Sequence, residues 1–320
     1  MKTDVPLSLT PKLDALSAAL RQIFGSEVPV LRRETPDHTS TFPNEIVTCL
    51  TSDGRQLRLL CKYGSGQREI TYGHRGGVWY EAEVYKHVLS SVPFTVPRYY
   101  GAVEDDTGTT CLVVEFLDNS ERVVEAPEPE GIVAAARWIG RFHSWSEQRN
   151  RSGEPNLLNV YDHGYLTGWA RRTGSFAGHL SSRYPWLGPL CTCFEMLACE
   201  ILAIPPAIIH GEFYPKNILF RDHLIYPVDW ETAAVSAGEI DLASLIEGWA
   251  PETSQLCERE YQTARWPIAV PSGFQRRLDL ARCYLHLRWL GDRPEWTLHE
   301  DSVWHFEQLE AVANRLGVLR

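Results

Sequence analysis

The sequence predicts an α+β chain in two parts: a small antiparallel sheet interrupted by one helix, then a larger, mainly helical remainder. Three observations carry that expectation. Strand-like runs separated by turn residues fill residues 30–116. One apolar-periodic stretch lies between the third and fourth of these runs. The composition changes after Leu117, and helical periodicity dominates from Ile132 onward. The expected division is therefore 1–117 and 118–320.

The first element is a helix over 10–25. Thr10 is placed to cap it, Pro11 suits its first turn, and Leu13, Leu16, Leu20, Ile23 and Phe24 form one stripe that Gly25 closes. Strands follow from Val30 to Arg33, Glu45 to Thr51 and Gln56 to Tyr63, the last two joined by an Asp53-Gly54 hairpin turn. A helix from Val78 to Leu89 precedes strands from Arg98 to Val103 and Thr110 to Phe116, joined by Asp105-Asp106-Thr107-Gly108. The acidic stretch Asp118 to Glu130, with Pro127 and Pro129, reads as a loop or linker. Helices are expected at Ile132 to Trp145, Cys193 to Ala203, Ser272 to Leu290 and His299 to Leu316. Residues 151–190, rich in Gly, Arg and aromatics, show no clear period.

Bulk composition narrows the function classes. A length of 320 residues suffices for two modest cores, and 44% hydrophobic with 22% charged residues is ordinary for a soluble globular chain. A net charge of -10 argues against nucleic acid as a partner and suits a cationic small molecule. No apolar run reaches spanning length, and Met1 to Thr10 lacks a secretory pattern, so no membrane partner and a cytoplasmic location are expected. The eight cysteines are dispersed without a Cys-x-x-Cys pair, which points to buried, reduced thiols. Monomer and homodimer both stay open.

The chemistry concentrates in His210-Gly211-Glu212-Phe213-Tyr214-Pro215-Lys216-Asn217 and, further on, Val228-Asp229-Trp230-Glu231. Short apolar strands at Ala207-Ile208-Ile209, Asn217 to Phe220 and Leu224 to Tyr226 would present Glu212, Asn217 and Asp229 on turns. A carboxylate there can accept a hydroxyl proton, while an amide oxygen and a second carboxylate hold Mg²⁺ on a nucleotide.

These two segments resemble the catalytic and metal-binding loops of the aminoglycoside phosphotransferase family, relatives of the protein kinases. The usual family loop is His-Gly-Asp, four residues, then Asn, with Asp-Trp or Asp-Phe downstream. This chain has Glu212 where the family has Asp. The resemblance implies a bilobal protein-kinase-like fold, with a nucleotide-binding N-terminal lobe and a helical lobe for catalysis and acceptor binding. It implies an O-phosphotransferase that moves the γ-phosphate of ATP or GTP, with Mg²⁺, to a small-molecule hydroxyl. An aminoglycoside-like molecule or another antibiotic or secondary metabolite leads as acceptor; choline, homoserine or a sugar is the alternative, and a silent nucleotide-binding pseudokinase the second alternative. Glu212, Asn217 and Asp229 would be catalytic, with Asn217 and Asp229 the metal ligands.

The same resemblance places a nucleotide site in the first part. Lys62 ends the third strand on the face of Leu60, opposite Leu59 and Cys61. It stands where the family has its phosphate-contacting lysine, which needs an acidic partner on the following helix. Glu81 shares a face with Val78, Tyr85 and Val88, whereas Glu83 lines up with His87 and Ser90, so the partner is Glu81. The phosphate-covering loop falls in Thr35 to Asn44, where Thr39, Ser40 and Thr41 replace the glycines seen in kinases. Leu60 would belong to the nucleotide-binding set, and the backbone of Glu115-Phe116-Leu117 would meet a purine edge as the interlobe hinge.

Supporting residues have two readings each. His210 and His143 read as structural. Asp241, in Gly238-Glu239-Ile240-Asp241-Leu242-Ala243, either anchors the loop through backbone amides or caps a helix. Lys216 either neutralises phosphate or is solvated. Arg171 and Arg172 would suit an anionic acceptor, and Glu239, Glu247 and Glu252 a cationic one.

Overall fold

Period-two alternation in the first part produces a five-stranded antiparallel sheet in the order β1-β2-β3-β5-β4. Its strands are β1 (Val30–Glu34), β2 (Asn44–Leu50), β3 (Gln56–Gly64), β4 (Tyr99–Glu104) and β5 (Thr110–Glu115). The computed structural model describes residues 10–37, 41–65, 72–126, 129–150 and 157–319. One sheet face buries Val47, Cys49, Leu59, Cys61, Tyr63, Cys111 and Val113 against Leu16 and Leu20 of α1 (Leu13–Phe24). That face explains why Leu59 and Cys61 point away from Lys62. The hairpin turns match their residues: Gly54 and Gly108 hold φ of 80° and 77°. Asp105 Oδ1 accepts from the Thr107 and Thr109 amides.

The expected cap of α1 is a correction. Lys12, in extended backbone, is the residue before the helix and provides no side-chain cap. The Thr10 hydroxyl instead accepts from Arg33 Nη2 at 3.2 Å, and the Pro11 carbonyl takes the same nitrogen at 2.8 Å. Arg33 is the stronger claimant because its guanidinium is fixed by the buried Glu45 carboxylate at 2.6 Å. α2 (Gly77–His87) stops slightly short of the expected end, and a 3-10 turn over Leu89–Ser91 completes it.

The chain forms two compact units. The first runs to Glu121 and includes Tyr226–Thr232; the second comprises Arg122–Ile225 and Ala233–Arg320. Tyr226–Thr232 joins the first unit through the Trp230 amide on Glu81 Oε1 at 3.2 Å, and through the Gly76 amide on the Glu231 carbonyl at 2.8 Å.

The second unit is mainly helical. α3 (Glu130–Asn150) packs on α7 (Pro251–Arg265), and α8 (Phe274–Leu290) packs on α4 (His163–Phe176), α6 (Glu239–Ile246) and α10 (Val303–Leu316). α5 (Leu187–Leu202) starts earlier than expected because Pro189 is tolerated in a first turn. α9 (Pro294–Thr297) is one turn, and a 3-10 turn over Glu300–Ser302 occupies the expected start of the last helix. α4 arises inside the unread 151–190 stretch, with Asp162 capping the Tyr165 amide at 2.7 Å. The stretch read as a linker holds a two-residue strand, β6 (Glu121–Arg122), while Pro127 lies outside the described residues. A further strand, Ala234–Ala237, sits between β7 (Asn159–Val160), parallel, and β8 (Pro206–Ile209), antiparallel. All eight cysteines are free. Among the described residues no helix is long and apolar enough to cross a membrane.

Candidate active site

In the first unit, Lys62 is buried and its Nζ lies 2.7 Å from Glu81 Oε2; it also binds Asp229 Oδ1. Burial alone would push the ammonium pKa down, but the carboxylates of Asp229, Glu81 and Glu231 outweigh it and hold Lys62 charged. Glu83 faces the other way and pairs with His87 at 3.3 Å. Asp229 adopts left-handed backbone, φ 68°, a conformation that Asp tolerates better than most residues. Its carboxylate is thereby turned to Lys62 by the chain itself. Lys62→Ala is expected to lower turnover about 10²–10³-fold, the usual cost of removing one aimed positive or donor group. Glu81→Ala should cost less and Glu83→Ala least; kcat for the three variants checks the order, and greater damage from Glu83→Ala would contradict it.

The rest of the expected nucleotide site is unevenly placed. Thr39 and Ser40 lie outside the described residues. Thr41 is exposed and its hydroxyl accepts from Arg75 Nη1 at 3.1 Å. Arg75, which the sequence reading passed over, also stands 3.9 Å from Glu231 Oε1. Leu60 is half-buried on the Lys62 side of the sheet. In the hinge stretch, the Glu115 amide donates to the Arg98 carbonyl and the Phe116 amide to the Arg58 carbonyl, while the Leu117 carbonyl accepts from Ser120. Those groups are engaged inside the protein, so a purine edge would have to meet other backbone atoms there.

Glu231 is 1% exposed and neither carboxylate oxygen has a hydrogen-bond partner. Burial pushes its carboxyl up to about 8, with Lys62 and Arg75 opposing and Asp229 and Glu81 reinforcing the shift. Orphaned buried oxygens next to Asp229 are what a hard cation would satisfy. Among the described residues no cluster of three or more His, Cys, Asp or Glu forms a complete metal cage.

In the second unit, the segment after β8 turns sharply at Gly211, φ 85°, which a side chain would strain. Asp241 grips the turn: its Oδ2 accepts from the His210 amide at 2.6 Å and its Oδ1 from the Gly211 amide at 2.9 Å. His143 Nε2 reaches the same Oδ2 at 3.2 Å. Asp241 is therefore the loop anchor, and Gly238 occupies the cap position of α6. A Cβ at Gly238 would fall 2.6 Å from His143 Nδ1, so the close approach needs glycine. His210 Nδ1 accepts from the Glu212 amide at 3.3 Å, a bracing role. Asn217 Nδ2 donates to the Glu212 carbonyl at 3.0 Å, which leaves Oδ1 as the atom a metal would use. Lys216 is exposed, with its ammonium 5.4 Å from the Tyr214 ring centre.

Arg288 of α8 is the functional candidate that sequence reasoning missed. It is 3% exposed; its Nη2 donates to the Tyr214 hydroxyl at 2.5 Å and lies 3.3 Å from Glu212 Oε1. Trp289 Nε1 donates to the same hydroxyl at 3.0 Å. Burial opposes the Arg288 charge, yet Tyr214 and Glu212 hold its pKa above the ordinary value. The available signal was one charged residue inside the apolar run Leu285–Leu290, since a buried guanidinium demands a partner.

The charged residues expected to face an acceptor mostly have other duties. Arg172 binds the Gly291 and Asp292 carbonyls, and Arg171 binds Thr167 of its own helix. Glu239 is buried against Arg265 at 3.1 Å, while Glu247 meets Arg282 and His286, each at 3.2 Å. Glu252 is exposed. The expected acidic surface for a cationic acceptor is thus largely neutralised by arginines from distant helices.

His305 adds a testable pH response. Burial, reinforced by His286 and Arg288, lowers its pKa to about 3. The unfolded chain then binds a proton near pH 6.5 that the folded chain refuses, so this contribution to stability is complete above 6.5 and declines as pH falls toward 3. His305→Phe, which keeps the ring stack on Trp289, should flatten the acid side of a Tm-versus-pH curve. An unchanged acid slope would contradict the assignment.

This architecture, a five-stranded sheet with a buried Lys–Glu pair followed by a helical part carrying a His-Gly-Glu turn, is that of a kinase-like small-molecule phosphotransferase. The phosphotransferase enzyme family model matches residues 78–274, and the chain belongs to that family. Solved structures share the fold at low identity. Wild-type aminoglycoside 2'-phosphotransferase-IIIa in its GDP complex has a TM-score of 0.58 at 12% identity, over 95% of this chain and 99% of that one. Choline kinase LicA from Streptococcus pneumoniae has a TM-score of 0.60 at 12% identity, over 95% and 98%. Macrolide 2'-phosphotransferase MphH from Brachybacterium faecium has a TM-score of 0.55 at 17% identity, over 94% and 98%. No curated protein matches the chain in sequence.

Proposed function

We propose that the protein transfers the γ-phosphoryl group of ATP or GTP to a hydroxyl group of a small molecule, with Glu212 as the proton acceptor. The observation that carries this reading is Lys62, a buried cation gripped by Glu81 and Asp229 on a sheet whose other face is core. A nucleotide's phosphates are the ligand for which a chain would keep such a charge away from water. Structures of similar fold are described as complexes with AMP and GDP, which favours a nucleotide in the same role here.

In the proposed step the acceptor oxygen forms a bond to the γ-phosphorus as the bond to the bridging oxygen breaks, releasing the nucleoside diphosphate. The hydroxyl proton passes to the Glu212 carboxylate. Lys62 orients the phosphates, Arg75 and Thr41 flank them, and Asn217 fixes the Glu212 carbonyl through its side-chain amide. Asp229 and Asn217 Oδ1 would hold Mg²⁺, with Glu231 a further oxygen donor; the ion supplies charge neutralisation on the phosphates. Positioning and electrostatics account for most of the rate, since the loose transition state asks little of a strong base.

The test is nucleotide consumption with Mg²⁺ across aminoglycosides, nucleoside antibiotics, amino alcohols and sugars, with Lys62→Ala as control. Phosphorylated product from at least one acceptor, lost in the control, is the expected result. Nucleotide binding without transfer to any acceptor would favour a silent binding protein instead. The acceptor found also decides between antibiotic resistance and a metabolic role.

A further inference from the structure

We propose, building on the phosphotransferase reading above, that the acceptor is an uncharged, ring-bearing alcohol rather than a polycation, selected by Arg288 and the aromatic wall beside it. Glu212 and Arg288 are 5% and 3% exposed and form a pair of zero net charge at the reacting end. A neutral pair gives a cationic acceptor no net attraction to offset the water its ammonium would lose on entering. Two of the three carboxylates expected to offer such attraction are taken, Glu239 by Arg265 and Glu247 by Arg282 and His286, which leaves Glu252 exposed.

The aromatic groups point the same way. Tyr214 accepts hydrogen bonds from both Arg288 and Trp289, so its ring is held beside Glu212. From Trp289 the rings continue to His305 at 5.3 Å and Trp296 at 6.5 Å, and from His305 to Trp304 at 4.8 Å. Trp296 and Trp304 remain 43% and 37% exposed. Such a wall could in principle serve a quaternary ammonium through cation–π attraction. At the end nearest Glu212 a protein cation already occupies that role, with the Arg288 guanidinium 5.2 Å from the Trp289 ring centre. What remains is ring-face area for a neutral, flat partner.

The experiment measures nucleotide consumption with Mg²⁺ for three kinds of probe: kanamycin as polycation, choline as monocation, and uridine and phenyl glucoside as uncharged ring-bearing alcohols. Turnover confined to the uncharged probes, with a KM that does not move from low to high salt, is expected. Trp296→Ala and Trp304→Ala should each raise that KM by up to about tenfold, the worth of one ring stack, and affect kcat less. Arg288→Gln should lower turnover of the uncharged acceptor and narrow the discrimination against choline; the probe panel and the tryptophan variants decide the matter even where that variant does not fold. Better turnover of kanamycin or choline than of any uncharged probe would overturn the proposal while leaving the phosphotransferase reading intact. Consumption with none of the probes, alongside activity on another cationic acceptor, would overturn it equally; no transfer to any acceptor would sink both.

Discussion

Asp229→Ala is expected to reduce Mg²⁺-dependent phosphoryl transfer below detection while the protein remains folded. The carboxylate does two jobs: it binds the Lys62 ammonium, and it is the charged oxygen donor of the proposed metal pair. Its loss leaves Lys62 held by Glu81 at 2.7 Å and removes the anionic donor proposed for the ion. Alanine in left-handed backbone also costs about 1–2 kcal/mol, so Asp229→Asn, which tolerates that conformation, is the companion variant. Both should lose activity; Asp229→Asn should unfold close to the wild-type temperature and Asp229→Ala a few degrees below it. Undiminished transfer by either would place the metal elsewhere.

Glu212→Gln is expected to lower kcat by about 10²–10⁴-fold, the usual worth of a positioned base. The amide keeps the volume and its oxygen can still meet Arg288, but it cannot take the hydroxyl proton. Glu212→Asp should be far milder, since the carboxylate survives and only its reach from the Arg288 guanidinium changes. Near-equal activity of wild type and Glu212→Gln on every acceptor would remove Glu212 from the mechanism. A silent nucleotide binder would instead show no transfer in the wild type and no effect of either change on nucleotide affinity.

What was legible in the sequence is what depends on local period. Alternation along β3 separated Lys62 from Leu59 and Cys61, which lie in the core cluster while Lys62 meets Glu81 and Asp229; helical spacing in α2 separated the buried Glu81 from the less buried Glu83. The same reasoning failed where the buried face of a helix is polar. α7 buries Cys257, Tyr261 and Arg265 at spacings of four, and the arginine hides the stripe until its partners Glu147 and Glu239 are seen. α4 is punctuated by Gly164, Gly168 and Gly174, which break up the apolar period. The Arg288 contacts were out of reach for a different reason. Arg288 and Tyr214 are 74 residues apart, and a pair made only by tertiary packing leaves no periodic trace. The freedom assigned to Glu239 and Glu247 failed likewise, because their arginine partners come from other helices. The expected Thr10 cap fell to a competing donor from a neighbouring strand.

The grip of Asp241 on the two amides ahead of Glu212 has a thermodynamic consequence. A turn free to choose among conformations would have to be frozen each time a substrate arrived, and that ordering would be subtracted from binding at every cycle. Here the His210 and Gly211 amides are tied to one carboxylate that is itself tied to His143 on another helix. The loss of freedom therefore occurs once, when α3, α6 and the turn come together in folding. Substrate then meets a backbone already in place, and binding energy that would have gone to ordering the loop is left to act on the reacting groups.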